Sequence, residues 1–170
     1  DRLGLHPKAL RDRYPRMIIV SISGFGMDNA GQFEDRAGLA IVAEATSGAT
    51  GLTRDHSGNP VWCGFALGDI TAAVSAHAAI LLALRNQDRH GVGKLIDVGL
   101  VECMLPMVSV AMGRVQVEAK AQSNFAGSNN FHGIPYGAFP ASDGGVNIGC
   151  NRDDFWLRLC GAMGRPELGT

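Results

Sequence analysis

Between Ile70 and Leu84 the chain carries no charged residue, and the run Ile-Thr-Ala-Ala-Val-Ser-Ala-His-Ala-Ala-Ile-Leu-Leu-Ala-Leu closes on the polar segment Arg85 to His90. An apolar stretch of this length predicts a buried helix. Gly68 supplies a turn before it, Asp69 stands at its head as the predicted N-cap, and Gly91-Val-Gly93 supplies a stop. The rest of the chain reads as elements arranged around this helix.

Two short β-branched runs, Met17 to Ile22 and Lys94 to Val98, read as strands, the first continuous enough for a strand buried on both faces of a parallel sheet. His6-Pro7-Lys8-Ala9-Leu10 predicts a short helix with Pro7 at its first position, ending before Pro15. Ala37 to Ser47 is helical in composition and stops at Gly48. Arg54 to Pro60 is a polar loop, and Val61 to Phe65 reads as a short strand. Leu100 to Ala119 predicts a second long helix, with a kink at Pro106. From Lys120 to Pro135 the composition turns to Gly, Ser and Asn, as in a linker. Tyr136 to Pro140 and Val146 to Ile148 then frame a tight turn, predicting a hairpin, and Asn151 is placed to cap a last helix from Asp153 to Met163. The expected organisation is therefore 1–119, a linker over 120–135, and the start of a smaller domain over 136–170.

Composition narrows the class. A 46% hydrophobic, 18% charged chain can bury a core, and a net charge of −1 with no basic run points away from nucleic acid and anionic membranes as partners. The uncharged run is read as too short and too rich in Ala, Ser and His for a membrane span. Cys63, Cys103, Cys150 and Cys160 form no C-x-x-C pair and sit in apolar contexts. They read as buried reduced thiols of a cytoplasmic protein. The chain begins with Asp1 rather than Met, as a partial chain would.

The chemistry-bearing residues are few. A carboxylate at a helix N-terminus is favoured as the anion, so Asp69 is available as a nucleophile as well as a cap. Gly24-Phe-Gly26 lacks the third glycine and the directly following helix of a dinucleotide site, and reads as a turn leaving a sheet. His77 lies two helical turns from Asp69, about 12 Å by the helix rise. That is too far for a dyad, so it reads as a core histidine. No histidine, cysteine and acid share metal-ligand spacing.

Seven segments in order resemble the family III CoA-transferases, the CaiB/BaiF group that includes formyl-CoA transferase and the α-methylacyl-CoA racemases. They are Arg16-Met-Ile-Ile-Val-Ser-Ile-Ser-Gly-Phe-Gly26, Asp35-Arg-Ala-Gly38, Gly51-Leu-Thr53, Ala66-Leu-Gly-Asp-Ile70, Leu82-Leu-Ala-Leu-Arg85, Gly91-Val-Gly-Lys-Leu-Ile-Asp-Val98, and Pro135-Tyr-Gly137 with Ala141-Ser-Asp-Gly144. The resemblance implies an α/β fold: part of a Rossmann-like large domain with parallel strands and long helices, followed by the start of a smaller α+β domain. It implies interlocked homodimers for full-length members.

It also implies a reaction. CoA passes between an acyl-CoA and a carboxylic acid through a mixed anhydride and then a CoA thioester on the aspartate at the position of Asp69, with no cofactor beyond CoA itself. Arg2 falls where family members place an arginine facing CoA, and Ala37, Gly38, Leu39 and Ala40 correspond to a segment running along its pantetheine. Two departures stand out. The racemase branch carries a histidine where this chain has Leu39, and an acid is common where it has Ala40. Racemisation needs a proton acceptor on each face of the α-carbon, so Leu39 favours transfer. A racemase or epimerase, or a non-catalytic fragment, are the alternatives.

Overall fold

The computed structural model of the chain describes residues 3–27, 31–33, 36–55, 57–118 and 135–169. They form two compact units, 1–50 with 62–113 and 51–61 with 114–170. Of the expected linker over 120–135, all but Pro135 lies outside the described residues.

In the first unit, Pro7 opens helix α1 (Pro7–Arg13), where its missing N–H has no intrahelical role to lose. The helix stops at Tyr14, just before Pro15. Strand β1 (Ile19–Ser23) follows. Helices α2 (Ala40–Thr46) and α3 (Ala49–Leu52) lead to α4 (Leu67–His90), which returns the chain to strand β2 (Leu95–Gly99). The two strands pair in parallel, in register from Ile19 opposite Leu95 to Ser23 opposite Gly99. The ladder starts later than the apolar runs predict. Ahead of it, a Cβ on Gly93 would fall 2.0 Å from the Met17 carbonyl oxygen, so only glycine lets the chains pass there.

Helix α2 begins at Ala40 rather than at Ala37, because Leu39 is extended (φ −88°, ψ 146°). The predicted strand over Val61 to Phe65 is irregular coil. Beyond β2, the single long helix expected from Leu100 is broken into α5 (Leu100–Met104), a 3₁₀ turn over Leu105–Val108, and α6 (Ser109–Glu118). Pro106 sits in that turn, having no N–H to give an α-helical ladder.

Helix α4 ends as expected, with Gly91 in the left-handed region (φ 70°) donating its N–H to Gln87 O at 2.7 Å. It departs from expectation in two ways. Only one stripe is buried, Gly68, Thr71, Ala72, Ala76 and Ala83, and these small side chains let it lie close on α2, α5 and both strands. Val74, Leu81 and Leu82 are 63–70% exposed, so apolar composition here does not mean burial within this unit. At 24 residues it is also long and apolar enough, by length and composition, to cross a membrane, as is Leu100–Val117, contrary to the reading from the uncharged run. The core gathers Ala43, Ala72, Ala76, Val98, Leu100 and the fully buried Met104. Among the described residues β1 has one strand neighbour, and Ile22 is 53% exposed, so it is not the doubly buried strand expected.

The second unit contains an antiparallel hairpin of β3 (Tyr136–Ala141) and β4 (Gly144–Gly149), as its turn residues predict. Helix α7 (Asp153–Ala162) has Arg152, not Asn151, at its N-cap position. The Trp156 indole N–H donates to Leu168 O at 2.9 Å and ties the 3₁₀ turn Pro166–Gly169 back to α7. Cys160 is fully buried, Cys150 is buried, Cys103 is half-buried and Cys63 is exposed, all as free thiols, so the expectation of four buried cysteines fails at Cys63.

The Arg54–Pro60 turn carries a pH prediction. The Asn59 side chain and backbone N–H both donate to the Asp55 carboxylate, as does the Ser57 N–H, and together they hold its pKa below the ordinary 3.8. A lowered folded-state pKa means the turn's contribution is complete above the unfolded value and is lost as pH falls through the folded one. An NMR titration should show the Ser57 and Asn59 amide resonances moving with a midpoint below pH 3.8. Movement centred at or above that value would contradict the hydrogen-bond assignment.

Candidate active site

A series of close backbone approaches leads from the sheet to Asp69. At the carboxyl end of β1, Gly24 O accepts from the Val101 N–H at 3.1 Å. Met27 N–H donates to Asp97 Oδ2 at 2.7 Å, so the exit from the strand is pinned to β2 and α5. The exit then touches the segment before α2. A Cβ on Gly24 would lie 2.6 Å from Gly38 Cα, and one on Gly38 would lie 2.6 Å from Gly24 N. Two residues on, Ala40 starts α2, and a Cβ on Gly68 would lie 3.1 Å from both Ala40 Cα and Ala40 O. The first turn of α4 is therefore set down against Ala40 by a contact that leaves little room for a side chain on Gly68.

Asp69 lies in that first turn, at its third residue rather than at the N-cap as expected. The helix starts at Leu67, and the N-cap position is Ala66, which has no side chain to cap with. The capping acceptor comes from another helix. Glu44 of α2, 2% exposed, receives the Gly68 N–H on Oε1 at 3.2 Å and the Trp62 indole N–H on Oε2 at 2.7 Å. Leu67 N–H reaches Phe65 O at 2.9 Å, and the Ile70 N–H to Ala66 O bond (3.1 Å) opens the helical ladder. Among the described residues, the Asp69 N–H has no acceptor and its carboxylate has no partner. Asp69 is exposed.

Sequence reasoning missed Glu44. The signal was present as one acid inside Ala40-Ile-Val-Ala-Glu-Ala-Thr46, an otherwise uncharged helix, where a charge is kept only with partners.

Of the other expected residues, Ala37, Gly38 and Leu39 are exposed in the segment leading into α2, while Ala40 is buried in the contact with Gly68. Arg2 lies outside the described residues. His77 is exposed, not in the core, because the buried stripe of α4 runs through Ala76 instead. A separate cleft of about 600 Å³ opens between α1 and the strands, lined in part by His6, Lys8, Arg11 and Ser23; it includes neither Asp69 nor 37–40. Among the described residues no three of His, Cys, Asp and Glu gather as metal ligands would.

With this geometry in hand, comparison with known proteins is specific. The family model described as CoA-transferase family III matches residues 1–170. The chain is 32% identical over 171 residues to succinyl-CoA–D-citramalate CoA-transferase of Chloroflexus aurantiacus, covering all of this chain and 42% of that protein. It is 31% identical over 169 residues to the human succinyl-CoA:glutarate CoA-transferase, covering 98% of this chain and 37% of that one. The chain thus spans about two fifths of the length of these curated relatives. Among solved structures, a CaiB/BaiF family protein from Brucella suis superposes with a TM-score of 0.80 at 28% identity, over 99% of this chain and 44% of that one.

Proposed function

Starting from a chain that belongs to CoA-transferase family III, we propose that the protein moves coenzyme A from an acyl-CoA to a carboxylic acid, with Asp69 as the nucleophile. The observation that carries this reading is the exposed carboxylate in the first turn of α4, without a partner among the described residues, next to a Gly68 amide that Glu44 accepts from. The Asp69 carboxylate attacks the thioester carbonyl of the donor, giving a mixed anhydride and CoA thiolate. The thiolate attacks the aspartyl carbonyl of the anhydride, releasing the donor acid and leaving an aspartyl-CoA thioester. The acceptor carboxylate attacks that thioester and frees the thiolate again. Attack of the thiolate on the acceptor's acyl carbon then forms the new acyl-CoA and restores the Asp69 carboxylate. Each intermediate is itself an activated acyl group, so the sequence needs no metal, redox cofactor or external energy source.

The first turn supports this chemistry. The Asp69 N–H is an uncommitted donor, and the partial positive charge of a helix N-terminus favours the carboxylate before attack and a developing oxyanion during it. Exposed backbone at Ala37, Gly38 and Leu39 gives the pantetheine arm a surface to run along, and Arg2 is assigned to the CoA phosphates or adenine. The proposed setting is cytoplasmic, and the proposed assembly is an interlocked homodimer. The exposed apolar positions of α4 are consistent with cover by a second copy.

The test uses the longest reading frame that contains this chain. Succinyl-CoA is supplied with D-citramalate, L-malate or glutarate, the pairs named for its relatives. CoA transfer to an acceptor is expected, with no exchange of the donor's α-protons in deuterated water when the acceptor is left out. Exchange without an acceptor would move the assignment to a racemase or epimerase, against the absence of an ionisable group at Leu39.

A further inference from the structure

We propose that Glu44 is a positioning residue for Asp69, an inference that rests on the reading of Asp69 as the nucleophile. The first-turn amides of a helix need acceptors. In the first turn of α4 the nearest acid in sequence to the Gly68 amide is Asp69 itself, one residue on. In a capping box an acid at the third helical position, where Asp69 stands, turns back onto the N-cap amide, here that of Ala66. Glu44 takes the Gly68 amide from the side of α2, and the Asp69 carboxylate remains exposed and uncommitted.

Both oxygens of Glu44 are used, and their donors are on different segments. Oε1 holds the residue immediately before Asp69, while Oε2 holds the Trp62 indole, on the coil that enters α4. A carboxylate is the side-chain group that accepts on both sides here. A glutamine in its place has one oxygen for two facing donors, so its NH₂ would confront either the indole N–H or the Gly68 N–H. Because Glu44 is 2% exposed, water has little access to repair that mismatch. The close contact of Gly68 with Ala40 adds a second restraint on the same turn. Glu44 touches no reacting atom in this scheme; it acts through the Gly68 amide.

Steady-state CoA transfer by E44Q, W62F and the E44Q/W62F double variant tests this, in the longest reading frame and with the donor and acceptor pair that the unaltered protein turns over. E44Q is expected to lower kcat by roughly 10–100-fold, with KM for the acyl-CoA changed by less than about threefold. W62F is expected to lose less than E44Q. The double variant is expected to recover most of the lost kcat, because the glutamine NH₂ no longer meets a donor and its oxygen is free for Gly68.

A purely structural Glu44 would give a lower melting temperature with no recovery of kcat in the double variant, and that result overturns the proposal. So does an E44Q enzyme with unchanged kcat. Should E44Q fail to fold, the double variant still decides, since it must then fold and turn over. D69N separates the two readings. If D69N is inactive while E44Q is normal, only the role of Glu44 falls; if D69N keeps full turnover, the nucleophile assignment falls and the role of Glu44 with it.

Discussion

Replacing Asp69 by asparagine is expected to abolish CoA transfer, with kcat falling by at least about 10³-fold. The amide is nearly isosteric, so the first turn of α4, where the Gly68, Leu67 and Ile70 amides are served by Glu44, Phe65 O and Ala66 O, should keep its hydrogen bonds. Stability should change little, within roughly 0.5 kcal/mol as for other exposed substitutions. An Asp69 that served as the N-cap would cost typically about 1 kcal/mol on replacement by alanine, whereas asparagine caps about as well as aspartate, so the unfolding midpoint of Asp69→Ala is measured beside that of Asp69→Asn. A nucleophile would cost turnover alone. The measurement is a urea unfolding midpoint alongside steady-state transfer, with mass spectrometry of the unaltered enzyme quenched during turnover. A CoA adduct on the peptide holding Asp69 is the expected product, and a CoA adduct on any other side chain would end the assignment.

Gly38→Ala should produce the largest loss of folded stability among single-methyl changes near the site. The added carbon would sit 2.6 Å from Gly24 N and 2.8 Å from Gly24 Cα, both backbone atoms. Gly24 cannot easily withdraw, since its carbonyl accepts from Val101 and the exit beyond it is held through Met27 by Asp97. Overpacking against a flexible side chain costs about 1–3 kcal/mol; two fixed backbones place this case at about 3 kcal/mol or above. The displaced segment is also the one that abuts Gly68 through Ala40, so the KM for acyl-CoA should rise by roughly tenfold if 37–40 carries the pantetheine. Gly113→Ala is the matched control. It adds the same methyl within α6 with nothing closer than 4 Å, and should be neutral or stabilise by up to about 1 kcal/mol. If Gly38→Ala matches the control in urea midpoint, the close approach of the two segments is wrong.

The comparison of Asp69 with Glu44 shows how far reading along the chain could go. An acid after a glycine, ahead of a long uncharged run, marks Asp69 as the N-cap of a helix. The structure puts it at the third helical residue instead, because the start of a helix depends on which backbone is held where. Here Gly68 is held against Ala40 and bonded by Glu44, which lies 24 residues earlier. The burial of α4 differs from what its composition predicts for a related reason. Apolar composition measures what a surface prefers, whereas burial depends on which neighbours arrive, and the neighbours in this unit reach only the stripe through Ala72, Ala76 and Ala83. Pro106 in the sequence predicts a disturbance of the helix, and in the structure it sits in a full 3₁₀ break.

By itself the sequence determined the features that depend on contacts between near neighbours. These are the two β-branched strands, the proline-led α1, the glycine-ended α4, the hairpin that turns at Ser142–Asp143, and an acid at the head of the longest apolar run. Only the tertiary structure decided that Glu44 is buried, that Gly24 and Gly38 touch, and that Asp69 is exposed in the first turn of α4. The physical reason is range. Propensity, turn chemistry and periodicity act over a few residues, while hydrogen bonds and close approaches between distant segments exist only once the chain has closed on itself.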